Sequence, residues 1–210
     1  WPFLTLALIG LNTWFFFGVS QPWAYAFDVC DPSNWAWTIP ASMFLHGGWV
    51  HLLGNVWFLW IFGDNVEDRL GHAGFVLFYA CCGLLAGLAH AAAQPDALLP
   101  AVGASGAIAG VLGAYFVFHP GGRVLALLPL FLFFTTVGGP AWFFLIAWFV
   151  LQTLSGAIEW STTEAGATGG TAWWAHVGGF VAGVGIAFIV SRLRPARRAG
   201  RSSRQAFPLR

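Results

Sequence analysis

The sequence contains no lysine, and charged residues make up only 8% of its 210 positions. A soluble domain carries roughly 25% charged residues, so this composition excludes an ordinary soluble domain. Hydrophobic residues make up 58% of the chain and aromatic residues 18%. We therefore expect an integral membrane protein. The basic residues form no face or stripe outside the C-terminal tail, so nucleic acid is not expected as a partner.

Three further patterns are missing. No apolar/polar alternation with a period of two runs through the apolar stretches, so the pattern favours an all-α polytopic bundle over a barrel. The three cysteines have no metal-ligand spacing, and we expect a structural role for them and no metal or cofactor. No basic segment precedes an apolar stretch and cleavage site, so no signal peptide is expected.

Apolar runs of about the length that crosses a bilayer recur along the chain. They predict six transmembrane spans, at 1–20, 43–62, 73–93, 101–118, 141–157 and 171–192. A further apolar run, 124–137, is too short for a span and contains Pro129. We expect it to be an interfacial or re-entrant segment, with a hairpin as one form it could take.

The nine arginines decide the orientation. Arg69 lies between the second and third spans, Arg123 between the fourth and fifth, and the other seven follow at 192–210. Six spans with both termini in the cytoplasm place every arginine inside, as the positive-inside rule expects. The sequence thus predicts a membrane domain at 1–192 and a basic, disordered cytoplasmic tail at 193–210 near anionic lipid. A composition rich in Ala, Gly and Arg favours a bacterial plasma membrane.

Five polar residues fall at one depth within these spans. Ser105 begins the fourth span, His176 lies near the start of the sixth, and the outer part of the second carries His46, His51 and Asn55. Even-numbered spans run from outside to inside, so all five lie towards the extracytoplasmic face. Polar groups inside a membrane are costly and are candidates for function. His51 and Asn55 are four apart and share one helix face.

These residue types fit acyl transfer. Ser105 can act as nucleophile with His176 as its base, while His51, Asn55 and the Ser105 backbone amide can stabilise an oxyanion. The spans contain no Asp or Glu at this depth, so the pattern predicts a catalytic dyad rather than a triad.

Small residues recur on the fourth and sixth spans. Gly106 and Gly110 form one small-xxx-small pair, and Gly179 and Gly183 form another. Such faces let helices approach closely. If these two faces meet, helix packing brings Ser105 to His176.

Simpler interpretations exist for each signal. Ser105 could be a helix N-cap, and His176 beside tryptophans could be an interfacial residue. The glycine pairs occur in membrane helices of any function. His72, His90 and His119 lie at the ends of runs or in short loops, and we assign them no chemistry.

The ordered motifs resemble those of the rhomboid family of intramembrane serine proteases. They are the His-x-x-x-x-His-x-x-x-Asn pattern of His46, His51 and Asn55, then Gly-x-Ser-Gly at 103–106, then Ala-His-x-x-Gly-x-x-x-Gly at 175–183. The resemblance implies a six-helix rhomboid fold. It also implies that the substrates are single-span membrane proteins, which the protein meets in the lipid bilayer.

The resemblance also implies roles for single residues. Ser105 would attack the scissile carbonyl and His176 would take its proton, with His51, Asn55 and the Ser105 amide as the oxyanion hole. His46 would support the site and its waters, and Gly103 and Gly106 flank the serine.

The resemblance further implies that the fifth span and the loop at 154–171 form a lateral gate and cap, with 155–170 as a mobile lid. One position departs from the family pattern. Where the family often has Trp-Arg in the first outer loop, this chain has Trp37-Thr38, which bears on the seating of that loop.

Three rival functions follow from the same residues. A non-catalytic rhomboid-like protein would bind or escort membrane clients. A transporter or channel would spread its polar groups across the bilayer depth. A soluble-type esterase is disfavoured, because 103–107 lacks the second glycine of the nucleophile elbow and follows no strand.

Overall fold

The computed structural model describes residues 1–97, 99–130, 133–162 and 171–193. Within these residues the chain is mostly helical. Two short 3₁₀ turns, at Pro22–Tyr25 and Pro32–Asn34, lie in the first long loop. The elements are α1 (Phe3–Gly18), α2 (Trp35–Ser42), α3 (Trp49–Leu70), α4 (His72–Ala93), α5 (Ser105–Phe118), β1 (Arg123–Leu130), β2 (Phe133–Pro140), α6 (Ala141–Thr162) and α7 (Trp173–Leu193). Of the predicted tail at 193–210, Leu193 is the last residue of α7, and 194–210 lie outside the described residues.

Three of the helices, α4, α6 and α7, are long and apolar enough to cross a membrane. α1 and α5 are apolar but shorter, at 16 and 14 residues. α3 is 22 residues long, and it carries polar side chains at both ends. These helices indicate an integral membrane protein, whereas the count of six spans stays a prediction.

The expectation of an all-α protein is wrong for one segment. β1 and β2 form an antiparallel hairpin, with Arg123 paired to Pro140 and Leu130 paired to Phe133. The apolar run here is too short to cross as a helix, and Pro129 would interrupt a helical hydrogen-bond ladder. Pairing two strands satisfies part of the backbone locally instead.

Two predicted spans begin too early. α3 starts at Trp49 rather than at 43, because Gly47 and an extended Gly48 stand where a helix would need residues of higher helix propensity. His46 therefore lies in the loop before the helix. α5 starts at Ser105 rather than at 101, since Gly103 adopts a φ of +128° that no right-handed helix contains.

Two predicted spans also end too early. α3 continues to Leu70, where Gly71 with a φ of +73° ends the helix. α6 continues to Thr162, so 154–162 is helical and not part of a loop. Trp160 in this added stretch packs edge-to-face against Trp174 of α7, with ring centroids 6.0 Å apart. Tertiary contact thus stabilises a stretch of low helix propensity. The remainder of the predicted lid, 163–170, lies outside the described residues.

α5 forms the centre of the bundle, and all its residues from Gly106 to Tyr115 are buried. It packs against α7 through the glycine faces. A Cβ on Gly179 would collide with the carbonyl oxygen of Gly106, and a Cβ on Gly183 with that of Gly110. Gly106 thus faces Gly179 and Gly110 faces Gly183, so the residue numbers increase in the same direction along both helices. The two helices therefore run parallel, and their N-terminal ends lie side by side.

α4 packs against α5 in the opposite direction. Ala86 lies against Gly106, whereas Cys82, which precedes Ala86, lies against Gly110. Cys82 is a fully buried free thiol at this contact. Close packing on both sides leaves the start of α5 little freedom to shift.

A buried carboxylate joins α1 to α3. Glu67, 1% exposed, accepts hydrogen bonds from the backbone N–H groups of Leu4 and Thr5 at 3.0 and 2.8 Å, and from the Thr5 hydroxyl at 2.7 Å. His72 Nδ1 lies 2.6 Å from the same carboxylate. The first turn of α1 has N–H groups without intrahelical partners, so Glu67 caps the helix from outside.

Candidate active site

Ser105 is the first residue of α5, and its side chain points away from its own helix. Ala104 occupies the N-cap position, and no side chain caps the helix there. The Ser105 Oγ instead lies 2.8 Å from His176 Nε2. The N-cap interpretation of Ser105 is therefore wrong.

His176 lies in the first turn of α7 and is 7% exposed. Its Nδ1 lies 2.7 Å from Gln152 Oε1 on α6. An amide oxygen only accepts hydrogen bonds, so Nδ1 must carry the proton in this arrangement. Nε2 of the neutral ring is then left as an acceptor for the Ser105 hydroxyl.

α6 also holds the ring of His176 through Trp148, one helical turn before Gln152. The two ring centroids lie 5.8 Å apart at 34°. Trp173 contacts the imidazole edge-on, with centroids 6.3 Å apart. The imidazole is thus oriented by its contact with Gln152 and by two aromatic rings.

The sequence reasoning missed both α6 residues. Gln152 is the one amide in the apolar run at 141–157, and a polar group in a span is a signal for function. The absence of Asp and Glu at this depth predicts no partner for His176, whereas a neutral amide accepts from its Nδ1.

His51 lies close to the serine across Gly103. A Cβ added to Gly103 would lie 2.6 Å from His51 Nε2 and 3.5 Å from Ser105 Oγ. Gly103 therefore has two reasons to be glycine, its positive φ and this close approach. His46, which is buried, packs edge-on against His51 with centroids 5.1 Å apart.

Asn55 follows His51 by one turn of α3 and is 6% exposed. Among the described residues its Nδ2 has no hydrogen-bond partner. A buried amide donor without a partner is uncommon. Asn55 thus presents an unused donor beside the serine.

A cavity of about 1060 Å³ connects these groups. His51, Asn55, Ser105 and His176 all line it. The structure therefore brings four of the five predicted polar residues to one cavity and leaves His46 behind His51. His90, to which we assigned no chemistry, is buried in the wall of the same cavity.

Comparison with known proteins adds the family. Residues 33–193 match the family described as Rhomboid domain. This chain belongs to the rhomboid family. The match contains every predicted site residue, from His46 to Gly183.

Several rhomboid proteins are similar in sequence. Rhomboid protein 1, mitochondrial, of Saccharomyces cerevisiae is 30% identical over 78% of this chain and 44% of its own length. Putative rhomboid protease YdcA of Bacillus subtilis is 37% identical over 38% of this chain and 39% of its own. Rhomboid protease GluP of the same species is 38% identical over 37% of this chain and 15% of its own. The chain therefore spans less than half the length of these relatives.

The relatives come from several compartments. By name they include mitochondrial and chloroplast proteins alongside those of Bacillus subtilis. The preference for a bacterial plasma membrane therefore rests on composition alone, whereas the assignment to a membrane rests on the family and the apolar helices.

The position that departs from the rhomboid pattern lies in α2. Thr38 is 5% exposed, and its hydroxyl donates to the backbone carbonyl of Asn34 at 2.9 Å. Trp37 donates from Nε1 to the side-chain oxygen of Asn34 at 3.1 Å. In this rhomboid Trp37 and Thr38 thus both bond to Asn34, at the start of their own helix.

Proposed function

We propose that this rhomboid is an intramembrane serine endopeptidase that cleaves single-span membrane proteins in or next to their transmembrane helix. The observation that carries the proposal is the 2.8 Å contact between Ser105 Oγ and His176 Nε2 on the wall of a large cavity. Two similar proteins, YdcA and GluP, are named as rhomboid proteases.

The first half of the reaction acylates the serine. Ser105 Oγ attacks the scissile carbonyl carbon, and its proton passes to His176 Nε2. The tetrahedral intermediate collapses, the C–N bond breaks, and the imidazolium gives the proton to the leaving amine. The second half repeats these steps with water as the nucleophile, which releases the carboxylic acid and restores Ser105.

The oxyanion would be held at the start of α5. The first N–H groups of a helix have no intrahelical partners, and the positive end of the helix dipole favours negative charge there. The Ser105 N–H is one of these groups. His51, close to the serine across Gly103, and the unpartnered Nδ2 of Asn55 supply further donors.

The length of α5 supports a buried reaction centre. Its 14 residues extend only about 21 Å, less than the roughly 30 Å hydrocarbon thickness. Arg69, Arg123 and Arg192 follow or end α3, α5 and α7, so the positive-inside rule puts those ends in the cytoplasm. We therefore place Ser105 below the outer surface, in a six-span topology with both termini inside.

The substrate must expose its backbone to Ser105. A transmembrane helix hides its carbonyls in hydrogen bonds, so it has to unwind locally before cleavage. Glycine and proline lower helix stability by about 1 and 3 kcal/mol. We expect cleavage where Gly, Ser or Pro lie near the outer end of the substrate helix.

Substitution of the two residues tests the proposal. Ser105→Ala and His176→Ala should each abolish cleavage of a model single-span substrate in liposomes, read by mass spectrometry of the products. Ser161→Ala is the matched control, because Ser161 is exposed on α6 and its hydroxyl donates to the carbonyl of Ile158 on its own helix. Cleavage at the wild-type rate by either active-site variant refutes the assignment.

A non-catalytic rhomboid that escorts clients is distinguished by chemical labelling. A fluorophosphonate probe should modify Ser105 in the wild type and leave Ser105→Ala unmodified. An intact substrate that co-purifies with an unlabelled wild type would favour the client-binding function instead.

A further inference from the structure

The base of the proposed dyad has a second partner. His176 Nδ1 and Gln152 Oε1 are 2.7 Å apart, and both residues are buried, at 7% and 8% exposed. Gln152 lies on α6, 24 positions from His176 in the chain. Such a contact occupies the place that a carboxylate has in a catalytic triad.

We propose that Gln152 is a positioning residue that holds His176 in the tautomer a general base requires, forming a hydrogen-bonded chain from Ser105 through His176 to Gln152. The proposal rests on the proposed protease function. Gln152 does not touch the reacting atoms, and it acts through the imidazole.

Only one orientation of the amide is compatible with a base. If the Gln152 NH₂ group faced Nδ1, then Nδ1 would accept and Nε2 would carry the ring proton. Nε2–H would then donate to the Ser105 oxygen and could not take the serine proton. When Oε1 faces Nδ1 instead, Nδ1 donates and Nε2 accepts, so the serine hydroxyl donates to Nε2.

A neutral amide also suits the surroundings. The neighbours of the imidazole include Trp148 and Trp173, and a buried carboxylate among apolar groups would carry a large desolvation cost. An amide fixes the direction of the Nδ1–H bond without placing a charge there. It stabilises the imidazolium less than a carboxylate would, which gives the proposal a distinctive test.

α6 places both contacts by helical periodicity. Trp148 and Gln152 are four residues apart and therefore share one face. Trp148 lies across the imidazole ring while Gln152 bonds to its edge. Two of the contacts that orient the base thus come from the neighbouring helix α6.

Three variants test the role. Gln152→Leu removes the acceptor and keeps a similar volume. Gln152→Glu keeps an acceptor and adds charge. Thr153→Val is the matched control, because Thr153 neighbours Gln152 and bonds only to the carbonyl of Phe149 on its own helix, at 3.0 Å.

We expect kcat of Gln152→Leu to fall about 10- to 100-fold, with KM within about twofold, since loss of one orienting hydrogen bond acts on the base and not on substrate binding. In Gln152→Glu the carboxylate favours the protonated ring of His176. As the pH is lowered, this variant should therefore lose activity at a higher pH than the wild type does. Thr153→Val should keep both the rate and the pH profile of the wild type.

Two kinetic outcomes overturn the proposal. One is a kcat of Gln152→Leu equal to that of Thr153→Val, while wild-type cleavage still depends on Ser105. The other is a Gln152→Glu profile whose acid limb coincides with that of the wild type. Melting temperatures in detergent separate a variant that has lost its structure from one that has lost only the positioning of His176. Gln152→Glu keeps the hydrogen bond to His176 Nδ1, whereas Gln152→Leu lacks it.

A measurement without turnover keeps the test independent of the protease proposal. ¹⁵N NMR of labelled histidine should show His176 protonated at Nδ1 in the wild type and a mixture of tautomers in Gln152→Leu. An Nε2-protonated ring in the wild type refutes the positioning role. Cleavage that survives Ser105→Ala would instead refute the proposed function.

Discussion

The contact between α5 and α7 allows a sharp test of how the bundle positions its reactive pair. Gly179 lies one turn after His176, and its neighbour Gly106 directly follows Ser105. In Gly179→Ala the new methyl group would meet the carbonyl carbon of Gly106 at 2.9 Å and collide with its oxygen. That atom belongs to the backbone of a buried helix, so no side-chain rotation relieves the clash.

The expected size of the effect follows from this geometry. Ordinary carbon contacts need about 3.5 Å, so the contact with the carbonyl carbon alone requires about 0.6 Å. The contact with the oxygen is closer still, so the helices must separate by roughly 1 Å at this point. The same separation applied one turn away lengthens the 2.8 Å contact between Ser105 Oγ and His176 Nε2 beyond hydrogen-bond range. A misplacement of about 1 Å costs about 10²-fold in rate, and overpacking costs about 1–3 kcal/mol of stability.

Gly185→Ala is the control for this prediction. Gly185 lies on the same helix, and a Cβ there would meet nothing within 4 Å. Alanine should therefore leave the rate unchanged and add up to about 1 kcal/mol of stability from helix propensity.

Both variants are compared by substrate cleavage in liposomes and by thermal unfolding in detergent. If Gly179→Ala matches Gly185→Ala in kcat/KM and in melting temperature, the argument that packing positions the pair is wrong.

Two more predictions concern other parts of the bundle. Gly103→Ala should abolish cleavage, because alanine is strained at a φ of +128° and its Cβ would lie 2.6 Å from His51 Nε2. Labelling of Ser105 by a fluorophosphonate should slow in parallel. An unchanged labelling rate would contradict this prediction. Glu67→Ala should lower stability by on the order of 3 kcal/mol, because it leaves the buried N–H groups of Leu4 and Thr5 without their acceptor. Unfolding in detergent measures the loss, and Asp68→Ala on the neighbouring position of α3 serves as its comparison.

The boundaries of the helices show where local patterns stop being informative. Hydropathy placed the start of the second span at 43, yet α3 begins at Trp49 because two glycines interrupt the apolar run. Hydropathy ends the fifth span at 157, yet α6 reaches Thr162, and Trp160 in the added turn packs edge-to-face against Trp174 of α7. The first difference was readable from glycine propensity. The second depends on a contact with another helix and was not readable.

The hairpin after α5 shows a different limit. The run at 124–137 is too short for a helical span, and its sequence predicts an interfacial or re-entrant segment, with a hairpin as one form. The paired register of β1 and β2 follows from backbone hydrogen bonds between the two halves of the run. Apolar residues without a clear period do not distinguish that pairing from a re-entrant helix.

The sequence by itself determined the membrane class, the glycine faces and the residues Ser105, His176, His51 and Asn55 as candidates. These conclusions follow from composition, from local spacing and from the arginines, which are properties of position along the chain. Only the tertiary structure decided that Gln152 and Trp148 of α6 surround the base and that Gly103 lets His51 approach the serine. Contacts between helices depend on their rotation and distance, and those are set by packing of the whole bundle rather than by any one segment.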